Sequence, residues 1–393
     1  MNILLLAQHP FYQERGTPID VLLVLRVLAE RKNTTVDLLV YNEGVNVDLT
    51  NLTIYPTPNL SFLKNITPGF SFKKLICDFF MFFKAWKLVY QKKYDLIHAG
   101  EESVFFAMFF NYFYKIPYVY DIDSSIAQQI VEKTPGLSAF ANIFNKIEGA
   151  AIRKSLANLP VCNALAELCE KNGSQKTVTI HDISQIKKPD HPTNGFLKVE
   201  LGIDKQILLY IGNLEHYQGL DLLLESFKLA CEDTNKIDLV IIGGNSIDID
   251  FYKEKSSKLK IDKQTHFLGP KPFEKLADYL NSADILTCPR IKGVNTPMKI
   301  FPYLHSGKPL LATDLYTHNQ ILTNNEAYLA PADPNGFAEG IVALAENIEL
   351  QKRFGRNGKN FVEKNHTFAA HQKRLNGVYD WIEDQISLGS SVG

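Results

Sequence analysis

The sequence predicts an α/β protein made of two consecutive doubly wound parallel-sheet halves. Three observations carry this expectation. Short apolar runs of strand length alternate with helix-length segments along almost the whole chain. The alternation pauses once, in the polar, proline-bearing stretch KKPDHPTNG from Lys187 to Gly195, and then restarts. With 393 residues, 45% of them hydrophobic and 22% charged, the chain is long enough to fill two separate cores.

In the first half, strands are expected at Asn2 to Ala7, Val36 to Tyr41, Leu52 to Pro56, Asp95 to Ala99 and Tyr118 to Ile122, with strand-like runs at Leu159 to Asn163 and Thr177 to His181. Between the first two, HPFYQERGTPIDVLLVLRVLAER sets a loop ending at Gly16 before a helix with Thr17 as cap and Pro18 at its first position. Gly16 lets a ligand approach the backbone closely. Ligands of open parallel sheets sit beyond the strand C-terminal ends, where Gly16, the pair Glu101 and Glu102, and the run Asp121 to Ser125 would gather. Solvated-loop glutamates and a helix-capping Asp123 are the competing readings, and Asp121 reads as structural.

From Phe62 to Tyr94 the sequence interleaves Phe72, Phe79, Phe80, Phe82, Phe83 and Trp86 with Lys73, Lys74, Lys84, Lys87, Lys92 and Lys93, and a second aromatic run follows from Phe105 to Tyr114. One reading is a core helix whose lysines reach the rim. The other is a patch that rests on an anionic membrane surface.

After the linker the pattern restarts. Strands are expected at Ile207 to Gly212, Asp238 to Gly244 and His266 to Gly269, and helices at Leu220 to Ala230 and Phe273 to Asn281. They lead to CPRIKGVNTPMKIFPYLHSGKPLLATD, Cys288 to Asp314. There an apolar strand, Ile285 to Cys288, ends in a loop holding Arg290, Lys292 and Gly293, and Thr296 and Pro297 look like the cap and first position of a helix. The start of such a helix, with Lys299 in its first turn, favours a phosphate. The chain closes with a strand near Ala327 to Ala330 and helices from Gly336 to Asn347, Leu350 to Glu363 and about Thr367 to Gln385.

Composition excludes several classes. A formal net charge of -1 gives no overall reason to expect nucleic acid as a partner. Cys77, Cys162, Cys169, Cys231 and Cys288 are scattered and form no Cys-x-x-Cys pair, which suggests a reducing, cytoplasmic compartment and no structural metal. The opening MNILLLAQHP lacks a basic leader and a cleavage site and reads as a buried strand. No apolar run is long enough to span a membrane.

The ordered series YIGNLEHYQGLDLLLESF, VIIGG, HFLG, YLNSADILTCPR and KIFPYLHSGKPLLATD resembles glycosyltransferase family 4, retaining nucleotide-sugar transferases of the GT-B architecture. ERGTPIDV, DLIHAGEE and PYVYDIDSS look like the acceptor-domain loops of that family, so the resemblance covers nearly the whole chain. It implies an acceptor-side domain over 1–190, a nucleotide-sugar domain over 191–366, and a last helix over 367–393 that packs back on the first domain. Two such domains make the cleft between them the expected binding site.

The resemblance also implies the chemistry. A nucleotide diphosphate leaves as positive charge develops on the sugar, so cations near the phosphates are the main catalytic aid and no metal or cofactor is needed. The family usually places an arginine and a lysine where this chain has Asn213 and Gln218. Replacing two charge-assisted hydrogen bonds by neutral ones costs roughly 2–3 kcal/mol, about 30- to 150-fold in affinity. Arg290, Lys292 or Lys299 could compensate. The family's two glutamates correspond to Val294 and Pro302, whose side chains accept no hydrogen bond, and Pro302 should kink its helix. Lys299 matches a recurrent variant, NTP-x-K accompanied by YQG. Asp123 stands where the family often has a histidine, and it could receive the acceptor's proton.

The expected catalytic residues are therefore Asp123, Lys299 and Arg290. Gly16, Thr17, Glu102, Asn213, Gln218, Gly243, Gly269, Thr296 and His318 are expected to bind substrate, His318 reading equally well as a surface histidine. The expected reaction moves a sugar from a nucleotide diphosphate sugar to a hydroxyl of a glycan or lipid-linked acceptor, with retention. A non-catalytic GT-B binding partner and a nucleotide-sugar epimerase or hydrolase remain as alternatives.

Overall fold

The run NILLLA is apolar without interruption, and only a strand covered on both faces can bury it all. In the computed structural model it becomes β1 (Asn2–Pro10), buried from Ile3 onward. The structure describes residues 1–11, 16–45, 47–59, 66, 72–127, 129, 140–186 and 195–390. Contacts divide the chain into two compact units, Met1–His181 with His371–Gly393, and Asp182–Ala370.

The first unit holds a parallel sheet of β1, β2 (Thr35–Tyr41), β3 (Leu52–Pro56), β4 (Leu96–Gly100), β5 (Tyr118–Ile122) and β6 (Ala157–Pro160). Their spatial order is β3-β2-β1-β4-β5-β6. Its described helices are α1 (Gly16–Ala29), α2 (Phe72–Gln91), α3 (Val104–Tyr114), α4 (Ala141–Lys154) and α5 (Asn163–Lys171). Helix α2 sends Cys77, Met81, Ala85 and Leu88 into the core, as the core-helix reading expects. Its opposite face leaves Leu75, Phe79, Phe83, Trp86 and Tyr90 exposed. Most of the aromatic-rich stretch before Phe72 lies outside the described residues.

Thr177 to His181 does not become a strand. It runs beside β6, with Val178 N–H donating to Asn158 O at 3.0 Å and Ile180 N–H to Pro160 O at 2.9 Å. Pro160 has no N–H to return, so the ladder stops at the single bridge between Asn158 and Thr177.

The second unit repeats the plan. Helix α6 (Phe196–Leu201), which follows the linker and has too few residues to show a period, precedes β7 (Gln206–Ile211), α7 (Leu220–Asp233), β8 (Ile237–Ile242), α8 (Ser246–Lys258) and β9 (Thr265–Gly269). Then come α9 (Leu276–Ser282), β10 (Ile285–Cys288), α10 (Ile300–His305), β11 (Leu310–Thr313), α11 (Tyr316–Asn319), β12 (Tyr328–Ala330), α12 (Pro334–Glu346) and α13 (Ile348–Asn365). The sheet order, β12-β11-β10-β7-β8-β9, has the same topology as the first. The last helix, α14 (Phe368–Ser390), falls with the first unit from His371 onward. Of the linker segment, Lys187 to Asn194 lies outside the described residues.

One helix start differs from expectation, and the reason is local. Thr296 and Pro297 precede α10 without capping it. Ile300 N–H bonds Pro297 O at 3.1 Å and Phe301 N–H bonds Met298 O at 3.3 Å, both one residue short of helical spacing. Pro302 has no N–H for Met298, so the first regular bond is Tyr303 N–H to Lys299 O, 3.1 Å. Pro302 therefore sits in the first turn of a helix that begins at Ile300, where an N–H is unpaired anyway, and the expected interior kink does not arise.

Candidate functional site

At the C-terminal ends of β7 and β8 the strands pass into glycine-rich loops. Gly212, Asn213, Glu215, Gly243, Gly244 and Lys271 help line an open cavity of about 440 Å³ there. Gly243 has φ +111°, and a β-carbon on it would collide with the Gly212 carbonyl oxygen. Two loops can thus meet with backbone against backbone. The carbonyl of Gly269 accepts from Gly243 N–H at 2.8 Å, so it ties β9 to this corner while its neighbours Pro270 and Lys271 face the cavity.

Lys299 reaches the same corner from the turn before α10. Its ammonium donates to the Tyr210 hydroxyl at 3.1 Å and to Gln218 Oε1 at 3.2 Å, and it lies 4.3 Å from the centre of the Tyr210 ring. A β-carbon on Gly212 would collide with that ammonium, so the missing side chain makes room for it. Burial pushes the Lys299 pKa down to about 8, with nearby Arg290 acting in the same direction. Both hydrogen-bond acceptors are neutral.

Arg290 lies 5.1 Å from the centre of the Tyr217 ring, and its Nε donates to Lys292 O at 2.8 Å. Asn213 is exposed and donates to the Tyr217 hydroxyl at 3.4 Å. Thr296 is 6% exposed, and its hydroxyl has no partner among the described residues. His318 is neither a surface group nor open to a ligand, being 0% exposed. Its Nε2 lies 3.2 Å from Cys288 Sγ, its Nδ1 lies 3.0 Å from Thr313 O, and burial lowers its pKa to about 4. A neutral ring therefore braces β10 against β11.

In the first unit, Gly16 begins α1 with φ +31°, and nothing lies near the position a β-carbon would take. The Thr17 hydroxyl does not cap the helix but donates to Glu101 Oε1 at 3.3 Å. Lys74, 5% exposed, binds Glu102 at 2.7 Å and Glu101 at 3.3 Å, so these glutamates are held rather than simply solvated. Asp123 follows β5 and is partly exposed. The segment after it is held by Glu148 of α4, which is 2% exposed and accepts from Ser125 Oγ and Ile126 N–H, each at 2.8 Å.

Sequence reasoning missed Tyr210 and Glu148. Tyr210 stands one residue before the end of an apolar strand and shows no signal beyond its polar tip. Glu148 had one available signal, a lone carboxylate on the face of α4 that carries Ala151 and Ile152.

The two parallel six-stranded sheets, each flanked by helices, match the GT-B architecture. The matches to known proteins point the same way, since residues 196–361 match the family model described as glycosyl transferases group 1. An uncharacterized glycosyltransferase of Methanocaldococcus jannaschii is 22% identical over 342 residues, 83% of this chain and 81% of that protein. A phosphatidyl-myo-inositol mannosyltransferase of Mycobacterium leprae is 26% identical over 188 residues, and the match spans only 48% of its length. Sucrose-phosphate synthase from Thermosynechococcus elongatus superposes with a TM-score of 0.75 at 16% identity, covering 98% of this chain and 99% of that one. Anabaena HepE in complex with UDP superposes with a TM-score of 0.74 at 13% identity, covering 97% of this chain and 100% of that one. The second unit is thus similar to group 1 glycosyl transferases, and the solved structures share the fold of nearly the whole chain.

Proposed function

We propose that this protein transfers a sugar from a nucleoside diphosphate sugar to a hydroxyl of a glycan or lipid-linked acceptor, with retention. The observation that carries the reading is Lys299, a cation with neutral partners beside a glycine-lined cavity at the strand ends. In the reaction the bond between the sugar's anomeric carbon and the phosphate oxygen breaks, and its electron pair leaves with the diphosphate. Lys299 and Arg290 stabilise that charge, and no metal is required for this role. The acceptor oxygen bonds to the anomeric carbon, and its proton passes to Asp123. Gly16, Thr17 and Glu102 contact the acceptor side, while Asn213, Gln218, Gly243, Gly269 and Thr296 serve the donor.

The exposed row Leu75, Phe79, Phe83, Trp86 and Tyr90, flanked by exposed Lys73, Lys87 and Lys93, favours attachment to an anionic lipid surface on the cytoplasmic side. No described helix is long and apolar enough to cross a membrane. A second reading, a non-catalytic nucleotide-binding relative, is favoured by Val294 and Pro302 where the family carries glutamates.

The test is a thermal-shift screen against UDP, GDP, ADP and dTDP and their sugars, repeated with Lys299→Ala. A ligand at a hundred times its dissociation constant adds about 2.7 kcal/mol, which raises the melting temperature by a few degrees. A shift with one nucleotide that is lost in Lys299→Ala supports the donor site. Binding without turnover in an acceptor screen favours the non-catalytic relative, and no shift with any nucleotide at millimolar concentration overturns the donor reading.

A further inference from the structure

Among the described residues the Lys299 ammonium has no carboxylate partner: its hydrogen bonds go to the Tyr210 hydroxyl and Gln218 Oε1, and the nearby charge of Arg290 has the same sign. A partly buried cation supplied only with neutral acceptors is costly to keep charged, and an anionic ligand removes that cost. Gln218 is 7% exposed, fixed at the end of the short turn His216–Gln218, and its amide oxygen accepts from the lysine. Tyr210 is held in turn, because its hydroxyl donates to Asn213 O at 2.6 Å.

We infer that Tyr210 and Gln218 are positioning residues that form a deliberately uncharged socket, leaving the diphosphate of a bound nucleotide as the counter-charge that Lys299 receives. The inference rests on the donor reading above and adds to it the reason for a glutamine at position 218. A carboxylate there would satisfy the lysine permanently. The apo protein would then be more stable, and the ligand would have to compete with an internal anion for the same ammonium.

Gln218→Glu, nearly the same size, tests the point. The melting temperature of the free protein is expected to rise while affinity for the nucleoside diphosphate that binds wild type falls by about tenfold or more. Affinity for the corresponding nucleoside, which lacks phosphate, should stay the same. Tyr210→Phe is the second variant, keeping the ring but removing the acceptor. It is expected to weaken the diphosphate several-fold and leave the nucleoside unaffected, and it decides the question if Gln218→Glu does not fold. Diphosphate affinity unchanged in a folded Gln218→Glu, or equal losses for diphosphate and nucleoside, would overturn the socket. Failure of wild type to bind any nucleoside diphosphate would instead overturn the donor reading beneath it.

Discussion

His98 Nδ1 lies 2.6 Å from the hydroxyl of Tyr379, so a strand residue in the middle of the first sheet is tied to the last helix of the chain. The other ring nitrogen of His98 lies 3.1 Å from Asp121 Oδ2. Arg31 reinforces the attachment, binding Asp380 at 2.8 Å and Glu383 at 3.1 Å.

Tyr379→Phe keeps the ring in its buried place but leaves His98 Nδ1 without its partner. The expected loss is about 1–3 kcal/mol of stability, the cost of an unsatisfied buried polar group. The midpoint of urea unfolding, followed with a probe in the first unit, measures it. An unchanged midpoint would show that the hydrogen bond contributes nothing net.

Glu148 holds the backbone after Asp123 through a buried carboxylate that accepts from Ser125 and Ile126. Glu148→Ala is expected to cost about 2–4 kcal/mol, because Ser125 Oγ, Ile126 N–H and Ala127 N–H lose their acceptor. Glu148→Gln retains one acceptor oxygen and should cost less. If the segment positions Asp123, kcat falls in both variants even at temperatures where they remain folded, which circular dichroism and turnover measured side by side would reveal.

Asp78 receives hydrogen bonds from Tyr41 and from Gln8, the latter at 2.7 Å, yet burial raises its pKa to about 6 from 3.8. The native state therefore binds this proton more tightly than the unfolded state does. Stability from this group is greatest below about pH 4, is lost as pH rises from about 4 to 6, and is flat above that. The size is on the order of 1–3 kcal/mol. Asp78→Asn can accept both hydrogen bonds on one oxygen, so unfolding at pH 7.5 should become harder and the decline between pH 4 and 6 should shrink. A decline that persists in the variant would assign it to another group.

Lys299 gives a second pH prediction, with the opposite chemistry. The groups around it are Tyr210, Cys288, Arg290 and His318, and its own pKa lies near 8 in the free protein. An anion binds the charged form, so nucleoside diphosphate affinity should be constant below about pH 7 and fall by up to tenfold per pH unit above 8. Lys299→Met should bind weakly and lose this dependence. Titration calorimetry at pH 6.5, 8 and 9 measures it, and a flat profile in wild type would show that Lys299 does not face the ligand.

The sequence alone carried the fold a long way, because period-two and period-3.6 apolar patterns report which faces must be buried, and that requirement is local. It placed nearly every strand of both sheets. It failed where a neighbour distant along the chain decided the outcome. Thr177 to His181 looked like a strand until Pro160 withheld the N–H that would have continued the ladder. His318 looked available until Cys288, thirty positions away, packed against its ring.

What the sequence determined by itself was therefore the repeating α/β plan, since hydrophobic period is a property of neighbouring residues. Tertiary structure alone decided which cation stands among neutral partners. Lys299 meets Tyr210 and Gln218 from 89 and 81 positions away. Only the folded sheet brings those strand ends together, and whether a charge is satisfied depends on what surrounds it in space.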